Sequence, residues 1–517
     1  MHLKKLFIVK LLFISIVFTI ISITLLYLTF TVNINKYTIQ MKLLKSESDN
    51  LDLTPLIDKN VYESSENMMR DIQNSVPNLP EVYFSKTKSK NSFYGLNKTC
   101  ARFPPTIFDL EYNNIYWQTL RTSNGTFYLF GAYLDKRKTN KVGPIVRILG
   151  MLDRIEPTVK TYCQFWFFNK KQPVIVETFE KRYIWNKKWG KVYYRNGLFS
   201  PYLISCALPG KYKSKQPISV SLVEHKCQQS TNNLKINYNN LKEKSDFAVC
   251  VKGLDFLNDL SVRLVEWMEV LFSMGVEKIF FYELQVHPNV SKVLNYYKNQ
   301  SKIEVTKITL PADQPNTSSF QYMFLKNKIT NKRLDELIPY NDCFYKNMYN
   351  YKMIALLDID EIIVPKNGFT WQEMMRKISP KSPKSSFCAR NIYFMDSMLK
   401  EDIYTENIPK YMHIMRHIYR SQNYTEFSKF EKCLHNTDKV LTLHNHFPLS
   451  CLDGPCDNYT IDVKDGHLQH YRSDCVKEIK NCNNFRNSSI KDDTVLRYKD
   501  PVVKKVYNTL KALGYFQ

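Results

Sequence analysis

Three carboxylates, Asp358, Asp360 and Glu361, interrupt the otherwise apolar stretch IALLDIDEIIVP between Ile354 and Pro365. Apolar runs of this length usually form core strands. Charge at the end of such a strand is costly unless a cation or a hydrogen-bond donor receives it. Asp358 and Asp360 lie one residue apart and leave the strand toward a common crevice. Their oxygens suit a hard divalent ion such as Mg2+ or Mn2+, and that ion would in turn neutralise a bound diphosphate. Glu361 points the other way along the strand and reads as structural. Two other uses of the pair stay open: a helix cap or surface turn after the strand, or the nucleophile and acid of an Asp-x-Asp phosphatase. The second use wants Thr or Val where this chain has Ile362, and a place on the first strand of its domain.

The elements that must hold the pair are legible upstream. FAVCVKG, Phe247 to Gly253, reads as a strand. SVRLVEWMEVLFSMG reads as a helix capped by Ser261, striped by Leu264, Val265, Met268, Leu271 and Phe272, and ended by Gly275. VEKIFFYEL is a strand, NVSKVLNYYKN a helix and IEVTKITLP a strand. This alternation implies an α/β fold with a mostly parallel sheet and helices on both faces. YKMIALLDIDEIIVP is then a later strand, with its charges at the carboxyl end where open α/β sheets bind ligands.

The chain has 517 residues, with 73 Lys and Arg against 49 Asp and Glu, an excess of 24 positive charges. The excess suits anionic partners or a solvated basic face. Leu11 to Val32 is uncharged and long enough to span a bilayer. Lys4, Lys5 and Lys10 precede it, which places the N-terminus in the cytosol and the rest in a lumen. All twelve cysteines lie between Cys100 and Cys482, on the lumenal side, where disulfides form. Their spacing is poor for structural zinc. Bridges are expected among Cys250, Cys343, Cys388, Cys433, Cys451, Cys456, Cys475 and Cys482. Eight N-x-Ser/Thr sequons, from Asn97 to Asn487, are compatible with that compartment. Trp185 and Trp189 stand in a stretch from Lys181 to Lys215 that carries nine basic and no acidic residues. Aromatics among cations can bind nucleic acid, but a lumenal address excludes that partner.

The expected organisation is a cytosolic tail (1–10), a transmembrane helix (11–32), a polar stem (33–92), a β-rich lumenal domain (93–244), a catalytic domain (245–490) and a helical tail (491–517).

NDCFYKNMYNYKMIALLDIDEIIVP, Asn341 to Pro365, resembles the core of glycosyltransferase family 92: a Cys-containing Asn-Asp segment, a strand, Asp-x-Asp-Glu, an aliphatic pair and Pro. FAVCVKG, EWMEVLFSMGVEKIFFY and VLNYYKNQSKIEV resemble its opening strand–helix–strand, and HLQHYR its closing His-Tyr-Arg. The chain departs from the family at Ile362, where an aromatic is usual, and at Cys433, where a Ser follows the Lys.

The resemblance implies a type II single-pass Golgi enzyme of GT-A fold. It implies a UDP-sugar donor, most commonly galactose, a glycan acceptor on a glycoprotein or glycolipid, and an inverting reaction that makes a β linkage. Asp360 would bind the metal, Asp358 the metal or the ribose, and His470 the metal or the diphosphate. Arg472 would neighbour the phosphates, and Lys252 and Asp342, in matching segments, would lie on the substrate side. Inversion needs a general base on the acceptor hydroxyl; Asp396, after the apolar run NIYFM, and Glu431 are the candidates. His444 and His446, two apart on a strand, could be ligands or polar lining. A non-catalytic glycan-binding or scaffold protein that keeps the fold is the alternative.

Overall fold

The computed structural model describes residues 76, 78–80 and, with short gaps, 100–516. The expected anchor, Leu11 to Val32, lies outside the described residues. Among those described, no helix is long and apolar enough to cross a membrane.

Two large sheets carry the described chain. The first has nine strands, from Gln118–Thr122 to Leu234–Asn237. GTFYLFGAYLD forms its central strand, Gly125–Asp135. Phe127, Leu129, Ile148, Ile204 and Leu222 close one core within this sheet. Phe130, Tyr133, Leu149 and Met151 belong to a different core, shared with the second half of the chain.

That half starts with β1 (Ser245–Phe256), α1 (Ser261–Ser273), β2 (Lys278–Val286), α2 (Pro288–Asn299) and β3 (Ile303–Lys307). Then come α3 (Leu337–Asn347) and β4 (Tyr351–Leu356). The expected strands and helices fall where their periodicity placed them. The β1 side chains alternate between two cores. Phe247, Val249 and Val251 meet α1, whereas Ala248 and Cys250 meet α3. The last helix, α4 (Lys499–Ala512), lays Val502, Val506 and Leu510 into the first of these cores.

Three details differ from the sequence expectation. First, Ser261 does not cap α1. It is the first helical residue, and Asp259 accepts its backbone N–H at 2.9 Å. Gly275 does follow the helix at φ 89°, where a side chain would be strained.

Second, YKMIALLDIDEIIVP is not one strand. β4 stops at Leu356, residues 357–360 turn, and β5 (Glu361–Pro365) is an edge strand of a separate sheet. The turn is closed by the Glu361 N–H donating to the Asp358 carbonyl at 3.0 Å.

Third, the second sheet is mixed. β3, β2, β1 and β4 are parallel neighbours. β8 (Lys432–Asn436) then pairs antiparallel with both β4 and β6 (Ser386–Ala389), and β9 (Asn458–Thr460) runs parallel to β6. Antiparallel neighbours need no crossover helix, and few helices follow β4. The three-stranded sheet consists of β5, β10 (Gly466–Arg472) and β7 (Asn391–Met395).

All twelve cysteines are paired. The bridges are Cys100–Cys227, Cys163–Cys206, Cys250–Cys343, Cys388–Cys433, Cys451–Cys456 and Cys475–Cys482. Cys250–Cys343 ties β1 to α3, and Cys388–Cys433 joins β6 to β8 across the sheet.

Candidate active site

The turn after β4 receives its charges from two lysines. Asp358 Oδ1 lies 3.0 Å from Lys252 Nζ on β1, and Oδ2 lies 3.3 Å from Lys432 Nζ on β8. Lys252 also reaches Glu336 at 3.3 Å, and Lys432, fully buried, reaches Glu361 at 3.1 Å. Burial alone would push the Asp358 carboxyl up; the two ammonium groups overcome it and hold the group far below the usual carboxylate range. Burial would likewise favour neutral lysines, but the same carboxylates raise Lys252 and Lys432 above their ordinary values. The cluster is therefore ionised and internally paired.

Glu361 is buried beneath the turn, although a turn and not strand parity turns it away from Asp360. Its side chain accepts the Asp358 N–H at 3.1 Å and lies 3.5 Å from His470 Nδ1. Burial pushes its carboxyl up, against Lys432 and His470.

Asp360 stands apart from the lysines. It points toward the cavity, and Oδ2 lies 3.4 Å from His470 Nε2. Registry fixes this pairing. Glu361 sits opposite His470 where β5 meets β10, and the Asp360 carbonyl accepts the Tyr471 N–H at 2.8 Å. His470 is buried, stacks on Tyr393, and neither ring nitrogen has a hydrogen-bond partner among the described residues. An imidazole lone pair and a carboxylate oxygen at this spacing fit a divalent first-row ion. Burial would raise the Asp360 carboxyl, but His470 beside it holds the group below its ordinary value.

These residues border a cavity of about 460 Å³. Its charged lining includes Asp358, Asp360, Asp396, Lys252, Arg263 and Arg472, with Asp255, Lys332, Asp335 and Glu336 also on the wall. Its apolar lining includes Trp117, Phe130, Leu254, Leu284, Ile308 and Leu310. Trp117 and Phe130 come from the nine-stranded sheet. The Trp117 indole donates to the Thr309 carbonyl at 2.9 Å, and Asn114 donates to the Leu310 carbonyl at 3.0 Å. The β-rich region thus completes the cavity wall, a contribution that no motif in the sequence announced.

The other expected residues divide. Lys252, Asp358, Asp360, Asp396 and Arg472 line the cavity, and His470 stands behind Asp360. Asp342 does not line it. It is fully buried on α3, bonded to the hydroxyls of Tyr133 and Tyr282 and to Lys346 at 2.8 Å. Its position fastens α3 to both sheets, so it corrects the substrate-side expectation. Glu431 also lies away from the cavity. It is buried and accepts the Ser428 N–H at 2.9 Å, one residue from Lys432 and on the other side of the strand. His444 packs against Trp185 and Trp189, and His446 Nδ1 lies 2.9 Å from the Glu431 carbonyl oxygen; neither lines the cavity. Lys432, Glu336 and Arg263 were missed. Lys432 was visible only as the Lys before Cys433.

Asp335, on the cavity wall, makes one hydrogen bond, from Gln314 at 3.1 Å, and its other oxygen is unsatisfied. Burial pushes its carboxyl up to about 8. A carboxyl raised in the folded state binds its proton there while the unfolded chain has released it, so its contribution to stability falls as pH climbs from about 4 toward 8. Asp335→Asn is expected to remove that slope and to gain up to about 4 kcal/mol over wild type at pH 7, less at pH 4.5. Urea unfolding of both proteins across that range measures the difference. A gain that does not vary with pH would contradict it.

Residues 245–506, half of the chain, match glycosyltransferase family 92. The chain belongs to glycosyltransferase family 92. The family match covers both the lysine-paired turn and the Asp360–His470 pair. The chain is also 23% identical over 248 residues to the beta-1,4-galactosyltransferase galt-1 of Caenorhabditis elegans. That alignment covers 46% of this chain and 51% of the relative, so the chain spans about half the length of the curated relative it matches.

Proposed function

We propose that the chain is a metal-dependent inverting glycosyltransferase that moves galactose from UDP-galactose to a glycan acceptor with a β linkage. The observation that carries this reading is a cavity lined by both apolar and charged side chains, with Asp360 on its wall and His470 beside that carboxylate. Its size falls within the range of small-molecule sites. The apolar wall suits a nucleoside, and Arg263 and Arg472, together with an ion on Asp360, suit its diphosphate.

Asp360 and His470 would hold a divalent ion such as Mn2+, which supplies Lewis-acid stabilisation of charge on the departing UDP. The chain's own residues do the rest. Arg263 and Arg472 place cations beside the phosphates. Lys252 and Lys432 keep Asp358 ionised and fixed, an acceptor for a ribose hydroxyl that needs no reorganisation. Trp117 and Phe130 wall the nucleoside from solvent. Galactose and the β linkage rest on the family resemblance and on the printed name of the worm relative. The anchor at Leu11 to Val32 and a Golgi lumenal address complete the reading. Six disulfides suit such an oxidising compartment.

The test is the full-length chain with Mn2+, a glycan mixture and separate UDP-sugars, read as free UDP and as acceptor mass. UDP-galactose is expected to give both signals. Turnover of another UDP-sugar alone would move the donor assignment. No turnover with any UDP-sugar would favour the non-catalytic glycan-binding alternative.

A further inference from the structure

Asp396, His413 and His417 form a cluster beside the cavity that the donor chemistry above does not use. Asp396 opens the turn after β7, on the wall of the cavity. His413 and His417 lie four residues apart on an irregular turn, with ring centroids 4.2 Å apart. Nε2 of His413 is 3.2 Å from Asp396 Oδ1, and Nε2 of His417 is 3.3 Å from the same oxygen. All three ligand atoms lie within 4.8 Å of one another.

The tautomer of His417 is decided by its other nitrogen. Nδ1 lies 2.6 Å from the His413 carbonyl oxygen, which can only accept, so Nδ1 carries the proton. In the neutral ring Nε2 is therefore a lone pair, and it faces a carboxylate oxygen. That nitrogen is buried and faces Asp396 Oδ1 at 3.3 Å. Two acceptors held face to face need a positive centre between them.

We infer that Asp396, His413 and His417 are three ligands of a borderline divalent ion, Zn2+ by preference, with a fourth position open to the cavity. Tetrahedral Zn2+ with bonds near 2.0–2.1 Å sets its ligand atoms about 3.3 Å apart, which matches both measured edges. An Nδ1–H donating to a backbone carbonyl is the usual outer support of a ligating imidazole. The turn is clamped from α1. Glu266 accepts the backbone N–H of His413 at 2.6 Å and of Met415 at 2.9 Å. The site differs in kind from Asp360 and His470, and Asp396 becomes a ligand rather than the group that takes the acceptor's proton. The inference does not depend on the sugar donor.

The experiment uses the full-length chain, stripped with chelator and titrated with Zn2+ and with Co2+ as a visible probe. No cysteine among the described residues is free to bind either ion. In an Asp360→Ala background, which removes the other site, one equivalent of Zn2+ is expected to bind, and Co2+ to give the strong visible bands of tetrahedral coordination. Adding His417→Gln or, separately, the less buried His413→Asn should take the stoichiometry from one to zero and abolish the bands. Circular dichroism of each stripped variant confirms folding. An Asp360→Ala chain that binds no Zn2+, or keeps its full equivalent after folded His413→Asn or His417→Gln, overturns the inference. In the first case, Asp396 and His417 share a proton instead.

Discussion

Asp360→Ala is expected to cut sugar transfer by roughly a thousandfold while leaving the fold in place. Asp360 pairs with His470 and not with the lysines that neutralise Asp358. Its removal therefore strips a hard anionic ligand without orphaning a buried cation. A Lewis-acid contribution of about 4 kcal/mol corresponds to roughly that factor, at about 1.4 kcal/mol per tenfold. Thermal unfolding of the metal-free variant should fall only slightly below that of the wild type, because His470 favours the ionised Asp360 carboxyl in the folded chain but the group is partly exposed. The turn keeps its Glu361 N–H to Asp358 carbonyl bond, and one carboxylate is no longer held near others. Asp358→Asn behaves differently. It removes the partner of Lys252 and Lys432 and should cost stability as well as rate. Steady-state UDP release with and without added Mn2+ separates the two variants. Turnover in Asp360→Ala within tenfold of wild type, or undiminished wild-type turnover in excess chelator, would mean that these carboxylates serve no metal.

The contrast between the two aspartates shows what the sequence could and could not disclose. Alternation of short apolar strands with striped helices places β1, α1, β2, α2 and β3, because burial on both faces writes itself into local pattern. Gly275 marks a helix end because only one residue type accepts φ 89° without strain. The receivers of charge are another matter. Lys432 lies 74 residues beyond Asp358, and it meets it only because β8 pairs antiparallel with β4. No local period encodes that pairing. Asp342 misled for the converse reason: a motif position says nothing about Tyr133, which arrives from the nine-stranded sheet and shares its carboxylate with Tyr282. Trp117 reaches the cavity in the same way, through a hydrogen bond to a loop 192 residues on.

Lys432→Met is expected to destabilise the chain by about 3–5 kcal/mol at pH 7, the cost of leaving buried carboxylates without their cation. The side chain is fully buried, within 3.3 Å of Asp358 and 3.1 Å of Glu361, so no water can replace it cheaply. Methionine fills similar volume, which keeps a cavity from contributing. The charge origin predicts a pH signature. In the wild type, Asp358 is held below its ordinary value, so its stabilising contribution is present above about pH 4 and is lost only as pH falls through the depressed folded value. In the variant, one of its two cations is gone and burial pushes Asp358 and Glu361 upward, so the folded chain takes up protons that the unfolded chain does not. Its deficit against wild type then grows from about pH 4 toward neutrality and narrows as the carboxylates protonate. Urea unfolding of both proteins at several pH values reads this directly. A deficit of the same size at pH 4.5 and pH 7.5 would trace the loss to packing and not to the paired charges that begin at Asp358.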